Sequence, residues 1–91
     1  MVNAICRYAK NVKKINAIWL KLMVKDGEQS FLLIVDSIGD EQTIYNGIAQ
    51  AGQQYLPAGM YIDIISYEEP FGKNAATGKP FYKKKSSIFP F

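Results

Sequence analysis

The sequence contains no histidine and a single cysteine, Cys6, among its 91 residues. Without histidine it lacks the side chain best suited to proton transfer near neutral pH, and also the commonest zinc ligand. One cysteine cannot form an internal disulfide bond or complete a set of zinc ligands. We therefore expect no enzymatic activity, no metal site and no cofactor, and we expect a domain that works by binding.

Long apolar runs are also missing. No stretch approaches the roughly 20 apolar residues that span a bilayer, and the first residues lack the basic-then-apolar layout of a secretion signal. These absences predict a cytoplasmic protein with no membrane partner. With 48% hydrophobic and 21% charged residues the chain has a globular composition. We expect one domain over residues 1–85 and a loosely held tail over residues 86–91.

The charges are distributed unevenly along the chain. Residues 1–25 carry six bases and no acid, residues 26–69 carry all eight acids and no base, and residues 73–85 carry five lysines and no acid. In one interpretation, which we favour, the basic ends fold against the acidic middle. In the other, the basic ends form a face for an acidic partner. The sequence alone leaves both open, because they differ only in where the charges lie in space.

The first half of the chain predicts a helix followed by a β-hairpin. Apolar residues at spacings of three and four predict a helix over residues 2–14, with Asn3 as its N-cap. Alternating residues predict a strand over residues 16–25. The row of that strand expected to meet the core consists of Ile18, Leu20, Leu22 and Val24. The pair Asp26-Gly27 is typical of a tight hairpin turn. A second strand is predicted over residues 30–37, and its apolar run 31–35 predicts burial on both faces.

A second helix follows the hairpin. Asp40 is expected to cap its N-terminus, because a carboxylate accepts hydrogen bonds from free first-turn N–H groups. Pro57 is expected to end the helix, since the residue before a proline avoids the helical conformation. Gly47 and Gly52 weaken the helix but allow it to approach the sheet closely.

The remaining residues predict a strand over residues 60–67, a short helical turn over residues 71–77 and an edge strand over residues 81–85. The fold class is therefore α+β, with a small mixed sheet of three to four strands and helices mainly on one face. The predicted order is α-β-β-α-β, followed by a short α/β unit.

Several segments resemble one bacterial family when they are read in this order. They are Ile34-Val35-Asp36, Gly39-Asp40, Tyr55-Leu56-Pro57-Ala58-Gly59-Met60 and Lys79-Pro80-Phe81-Tyr82-Lys83. The family is the C-terminal domain of the enhanced-serine-sensitivity (SseB-like) proteins, and the likeness covers residues 3–85. The resemblance implies a domain that commonly follows another domain. The family takes its name from a growth phenotype, and it supplies no set of catalytic residues to carry over to this chain.

Catalytic and nucleotide-binding patterns fit the sequence poorly. The segment 72–79 is similar to a phosphate-binding loop, but five residues separate its glycines, and Pro80 stands where a magnesium-binding hydroxyl is needed. Asp36 and Asp63 are expected at the rim of the sheet rather than as a catalytic pair. Cys6 is expected to be buried as a small apolar residue.

The leading hypothesis is a small interaction module that holds a protein or a peptide. It would use the mixed sheet face or the aromatic–basic segment near the C-terminus, and it would expose a contiguous apolar patch. The candidate contact residues are Trp19, Met23, Tyr61, Tyr67, Phe81, Tyr82, Lys83, Lys84 and Lys85. A homo-oligomer is a further arrangement to consider. Weak nucleic-acid binding through the basic C-terminal segment is the alternative, and an enzyme ranks third.

Overall fold

The computed structural model describes residues 1–57 and 59–84. The described chain forms three helices and four strands. They are α1 (Val2–Asn11), β1 (Ile15–Lys25), β2 (Glu28–Ser37), α2 (Glu41–Gln53), β3 (Ile62–Ser66), α3 (Pro70–Ala75) and β4 (Tyr82–Lys83). This order confirms the predicted α+β class. The predicted tail, residues 86–91, and the candidate contact residue Lys85 lie outside the described residues.

The four strands form one mixed sheet in the order β3-β2-β1-β4. β1 pairs antiparallel with β2 and with β4, whereas β2 pairs parallel with β3. The hairpin turn between β1 and β2 has positive φ at Asp26 (52°) and at Gly27 (80°), as the tight turn predicted from this pair requires. The inner position of β2 is also confirmed, because its residues 32–35 are buried.

Helices α1 and α2 pack on one face of the sheet and enclose the core. The buried core residues are Ile5, Ala9, Ile15, Ile18, Leu33, Val35, Ile44 and Ile48. The predicted cap of α2 is confirmed, since Asp40 accepts hydrogen bonds from the Thr43 backbone N–H (3.3 Å) and hydroxyl (2.7 Å). Gly52 packs against Ile62 and Ile5 as expected, but Gly47 packs against Tyr8 of α1 rather than against the sheet.

Both long helices are shorter than predicted. α1 ends at Asn11, and its N-cap is Met1 without a side-chain hydrogen bond, so the cap predicted at Asn3 is wrong. α2 ends at Gln53, well before Pro57. Beyond Gln53 the backbone bonds tighten, because Tyr55 N–H donates to the carbonyl three residues earlier, a pattern typical of a helix terminus.

The predicted apolar row of β1 meets the core over only half its length. Ile18 is fully buried, but Leu22 and Val24 are 57% and 63% exposed. The reason is geometric: the ten residues of α1 span about 15 Å, whereas the eleven residues of β1 span about 36 Å. The end of the hairpin therefore extends beyond the helices that cover the rest of this face.

The connection from β3 to β4 crosses the opposite face of the sheet. Trp19 and Lys21 project from that face, since they alternate with the core-facing residues of β1. The Trp19 Nε1–H donates to Gly78 O (3.1 Å), and Lys21 Nζ donates to Thr77 Oγ1 (2.8 Å). The segment after α3 thus lies over this face, where Ile34 is fully buried.

Candidate functional site

The structure separates the candidate contact residues into three places. Phe81, Tyr82, Lys83 and Lys84 line a cleft beside α1. Trp19 and Tyr67 stack on the opposite face of the sheet. Met23 and Tyr61 lie farther along that face, near the end of the hairpin. Met23 pairs with Ser30, and Phe31, which follows Ser30, pairs with Ile62, which follows Tyr61. The two surfaces that the sequence offered as alternatives, the mixed sheet face and the aromatic–basic segment, are thus separate places in the structure, and the use of either for contact stays a prediction.

The cleft between α1 and β4, which we call the α1/β4 cleft, has a volume of about 710 Å³. Its lining residues are Asn3, Cys6, Lys10, Phe81, Tyr82, Lys83 and Lys84. The three that belong to α1 are spaced by three and four residues, which places them on one side of the helix. The cleft therefore combines one polar helix face with the short aromatic–basic strand.

Backbone hydrogen bonds fix β4 beside β1. The N–H of Phe81 donates to Ile18 O (2.9 Å), and the N–H of Lys84 donates to Asn16 O (2.7 Å). The rings of Phe81 and Tyr82 pack against the core cluster, and the Tyr82 hydroxyl donates to Ala9 O (3.4 Å). The aromatic wall of the cleft is therefore anchored to the body of the domain.

The cleft is lined by lysines from both basic ends of the chain. Lys10 comes from the N-terminal basic segment, and Lys83 and Lys84 come from the C-terminal one. Lys84 Nζ donates to Lys13 O (2.6 Å), so its ammonium group binds an uncharged carbonyl. Asp40 lies outside the cleft: the hydrogen bonds from Thr43 lower the pKa of its carboxyl, and the positive charge of Lys14 lowers that pKa slightly further.

Cys6 lies in the wall of the cleft, with its Sγ 3.9 Å from Phe81 O. Burial raises the pKa of the Cys6 thiol above its ordinary value, and the positive charge of Lys10 only partly opposes this rise. Since the thiolate is the nucleophilic form of cysteine, this shift works against activation of Cys6, which is a half-buried residue of the cleft lining.

In the other possible sites, the polar groups are already hydrogen-bonded or lie far apart. A second depression of about 290 Å³ lies between α1 and α2, and Asp40, a carboxylate in its lining, caps α2. Asp63 pairs with Leu32, four residues from Asp36 along β2, which is roughly 13 Å of strand. Among residues 1–57 and 59–84, no group of three or more His, Cys, Asp or Glu side chains could hold a metal ion.

The sequence model of one family, described as the SseB protein C-terminal domain, matches residues 1–84 of this chain. The chain belongs to this family. The match confirms the resemblance seen in the sequence, and it identifies a domain of uncharacterised biochemical role rather than a known class of enzyme. No curated protein and no solved structure matches the chain.

In this SseB C-terminal domain, sequence reasoning missed the contribution of α1 to the cleft. Asn3, Cys6 and Lys10 form a polar stripe beside the apolar stripe of the helix, and this stripe is the only local signal of their role. No helix in the described part of the chain is long and apolar enough to cross a membrane.

Proposed function

We propose that this SseB C-terminal domain is a protein-interaction module that holds an acidic segment of another protein in the α1/β4 cleft. One observation carries the proposal: folding brings the basic segments from both ends of the chain together at a cleft that also has an aromatic wall. Of the two interpretations of the charge pattern, this arrangement favours a basic face for an acidic partner.

The expected binding combines two contributions. A single exposed ion pair contributes only about 0–1 kcal/mol, so Lys10, Lys83 and Lys84 would supply steering and specificity more than affinity. The anchored rings of Phe81 and Tyr82 offer apolar area that needs little further ordering upon binding. Partners with acidic residues near apolar ones therefore fit this cleft better than purely acidic chains.

Nucleic acid fits the same surface less well. Binding of single strands relies on bases stacking on free aromatic faces, but Phe81 and Tyr82 pack against the core cluster. The segment 26–69, which carries all eight acids, includes β2 and β3, and β1 separates both of these strands from β4. Its acids would repel a phosphate backbone that extended past the cleft. Weak nucleic-acid binding therefore remains the second candidate.

Fluorescence anisotropy with a labelled peptide in which glutamate alternates with valine tests the proposal. We expect saturable binding that weakens as salt increases, and at least ~10-fold weaker binding to the double variant Lys10→Glu, Lys83→Glu, which corresponds to about 1.4 kcal/mol. Lys73→Glu is the control, because Lys73 is an exposed lysine of α3 outside the cleft, and the single variant Lys83→Glu matches it in charge.

Three results would contradict the proposal. The first is equal binding of a peptide in which lysine replaces every glutamate. The second is an equal loss of affinity in the Lys73→Glu control. The third is tighter binding of single-stranded RNA than of the acidic peptide at the same salt concentration, which would favour the nucleic-acid alternative.

A further inference from the structure

The outer edge of β1 is only partly occupied. β4 pairs with Ala17 and Ile18 alone, whereas β1 continues to Lys25. Asn16 O and Ile18 O accept hydrogen bonds from Lys84 and Phe81, the residues on either side of β4, so the backbone groups of alternate residues point toward this edge. The next three residues in that series are Leu20, Leu22 and Val24. Within residues 1–57 and 59–84, none of these three has a backbone hydrogen-bond partner on this side.

We call residues 20–24 the open edge. Its side chains on the helix-bearing face are apolar, and those of Leu22 and Val24 are more than half exposed because α1 ends before reaching them. An apolar strand edge with unpaired N–H and C=O groups is a template for one more strand. Such strand addition draws affinity from main-chain hydrogen bonds and specificity from alternate side chains.

The open edge and the α1/β4 cleft are continuous. Phe81, which lines the cleft, donates its N–H to Ile18 O, and Ile18 is the last edge-facing residue before Leu20. A strand paired with the open edge and directed toward β4 therefore reaches the cleft as it passes Phe81. There it meets Lys10, Lys83 and Lys84.

We infer that the acidic segment binds as an added β-strand along residues 20–24 and continues into the α1/β4 cleft. This inference rests on the proposed function and specifies the conformation of the partner. Apolar side chains of the segment cover Leu22 and Val24, and its carboxylates complement the lysines of the cleft.

Charge favours this occupant over a second copy of the chain. Residues 20–24 contain no acid, so the paired strand of a second copy would itself bring no carboxylate to Lys10, Lys83 or Lys84. The nearest acids of a copy, Asp26 and Glu28, belong to its hairpin turn and to the start of β2. An acidic segment of another protein covers the apolar side chains of the open edge and also brings carboxylates to the lysines of the cleft.

Amide hydrogen exchange measured by NMR, with and without the glutamate–valine peptide, tests the inference. We expect the peptide to slow exchange of the Leu22 and Val24 amides at least ~10-fold, because their N–H groups become hydrogen-bonded. The amides of Lys21 and Met23 are the internal control, since they face β2 and are already paired. Two further peptides, each N-methylated at one of the two alternating sets of residues, should differ in affinity. Only one set of N–H groups donates hydrogen bonds to the open edge.

The outcomes separate the two proposals. If the peptide binds by anisotropy but leaves the Leu22 and Val24 amides unchanged, strand addition is wrong and the proposed function stands. If the peptide does not bind at all, both are wrong. If sedimentation shows self-association that protects the same amides without peptide, the edge pairs with a second copy, and the choice of an acidic partner is overturned.

Discussion

The indole ring of Trp19 stacks on the phenol ring of Tyr67, with the ring centroids 5.1 Å apart and the ring planes 11° from parallel. The two residues come from opposite sides of β2, because Trp19 pairs with Ile34 and Tyr67 donates its N–H to Val35 O (2.9 Å). The stack therefore covers the middle of the sheet on the face opposite α1 and α2. That both residues contact a partner stays a prediction, but in the free domain they pack on each other.

Replacing Tyr67 tests how much this stack stabilises the fold. Tyr67→Leu keeps an apolar side chain but removes the ring–ring contact, so we expect the free energy of unfolding to fall by about 1 kcal/mol. The emission of Trp19 should shift to longer wavelength, since the indole becomes more exposed to water. Urea denaturation followed by tryptophan fluorescence measures both effects. Tyr55→Leu, at an exposed tyrosine, should leave both unchanged; equal behaviour of the two variants would show that the stack contributes nothing.

Gly72 is a second position where the connection from β3 to β4 is fixed to the sheet. A Cβ at this position would collide with Ser66 O and press on the Tyr67 backbone. Because backbone atoms cannot rotate away, we expect Gly72→Ala to destabilise the domain by about 1–3 kcal/mol, despite the better helix propensity of alanine. Chemical denaturation provides the measurement, with Asn74→Ala at an exposed site of α3 as control. A Gly72→Ala protein as stable as the wild type would mean that α3 does not pack closely on β3.

Tyr45 gives the fold a pH dependence in the alkaline range. Burial, together with the hydrogen bond to Glu41 (2.9 Å), raises the pKa of the Tyr45 hydroxyl to about 12. Because the folded state holds this proton more tightly than the unfolded chain, its stabilising effect is complete below pH ~10, the pKa of an unperturbed tyrosine. The effect is lost as the pH rises through about 12.

Comparison with Tyr45→Phe isolates this effect from the titration of the lysines. The difference in stability between wild type and variant should shrink between pH 10 and about pH 12. Thermal unfolding across that range measures it. A difference that stays constant across the range would show that the Tyr45 pKa is not raised.

Cys6 can report on the occupancy of the cleft. Since burial raises the pKa of its thiol, iodoacetamide should alkylate Cys6 more slowly than an unfolded cysteine at the same pH. Lys10→Gln should slow the reaction further, because Lys10 is the charge that opposes the rise. The glutamate–valine peptide should also slow it, by covering the cleft. Mass spectrometry of the alkylated protein follows the rate, and a rate unaffected by bound peptide would place the binding site elsewhere.

Local signals in the sequence predicted much of the fold. The Asp26-Gly27 turn and the Asp40 cap were found because a few neighbouring residues determine each of them, through positive φ in one case and a side-chain hydrogen bond in the other. The helix ends and the exposure of Leu22 and Val24 were not predicted. They depend on the lengths of α1 and β1 relative to each other, which becomes apparent only when the two elements lie side by side.

The sequence by itself determined the class of fold, the family and the absence of histidine chemistry, because each of these is a property of composition or of short patterns. Only the tertiary structure decided that the two basic ends lie together. Lys84 reaches Lys13 across 71 positions of the chain, and no local pattern encodes a contact between residues so far apart. The pairing of β4 with the first residues of β1 creates the cleft and leaves the rest of that edge open, so both candidate binding surfaces arise from one long-range strand contact.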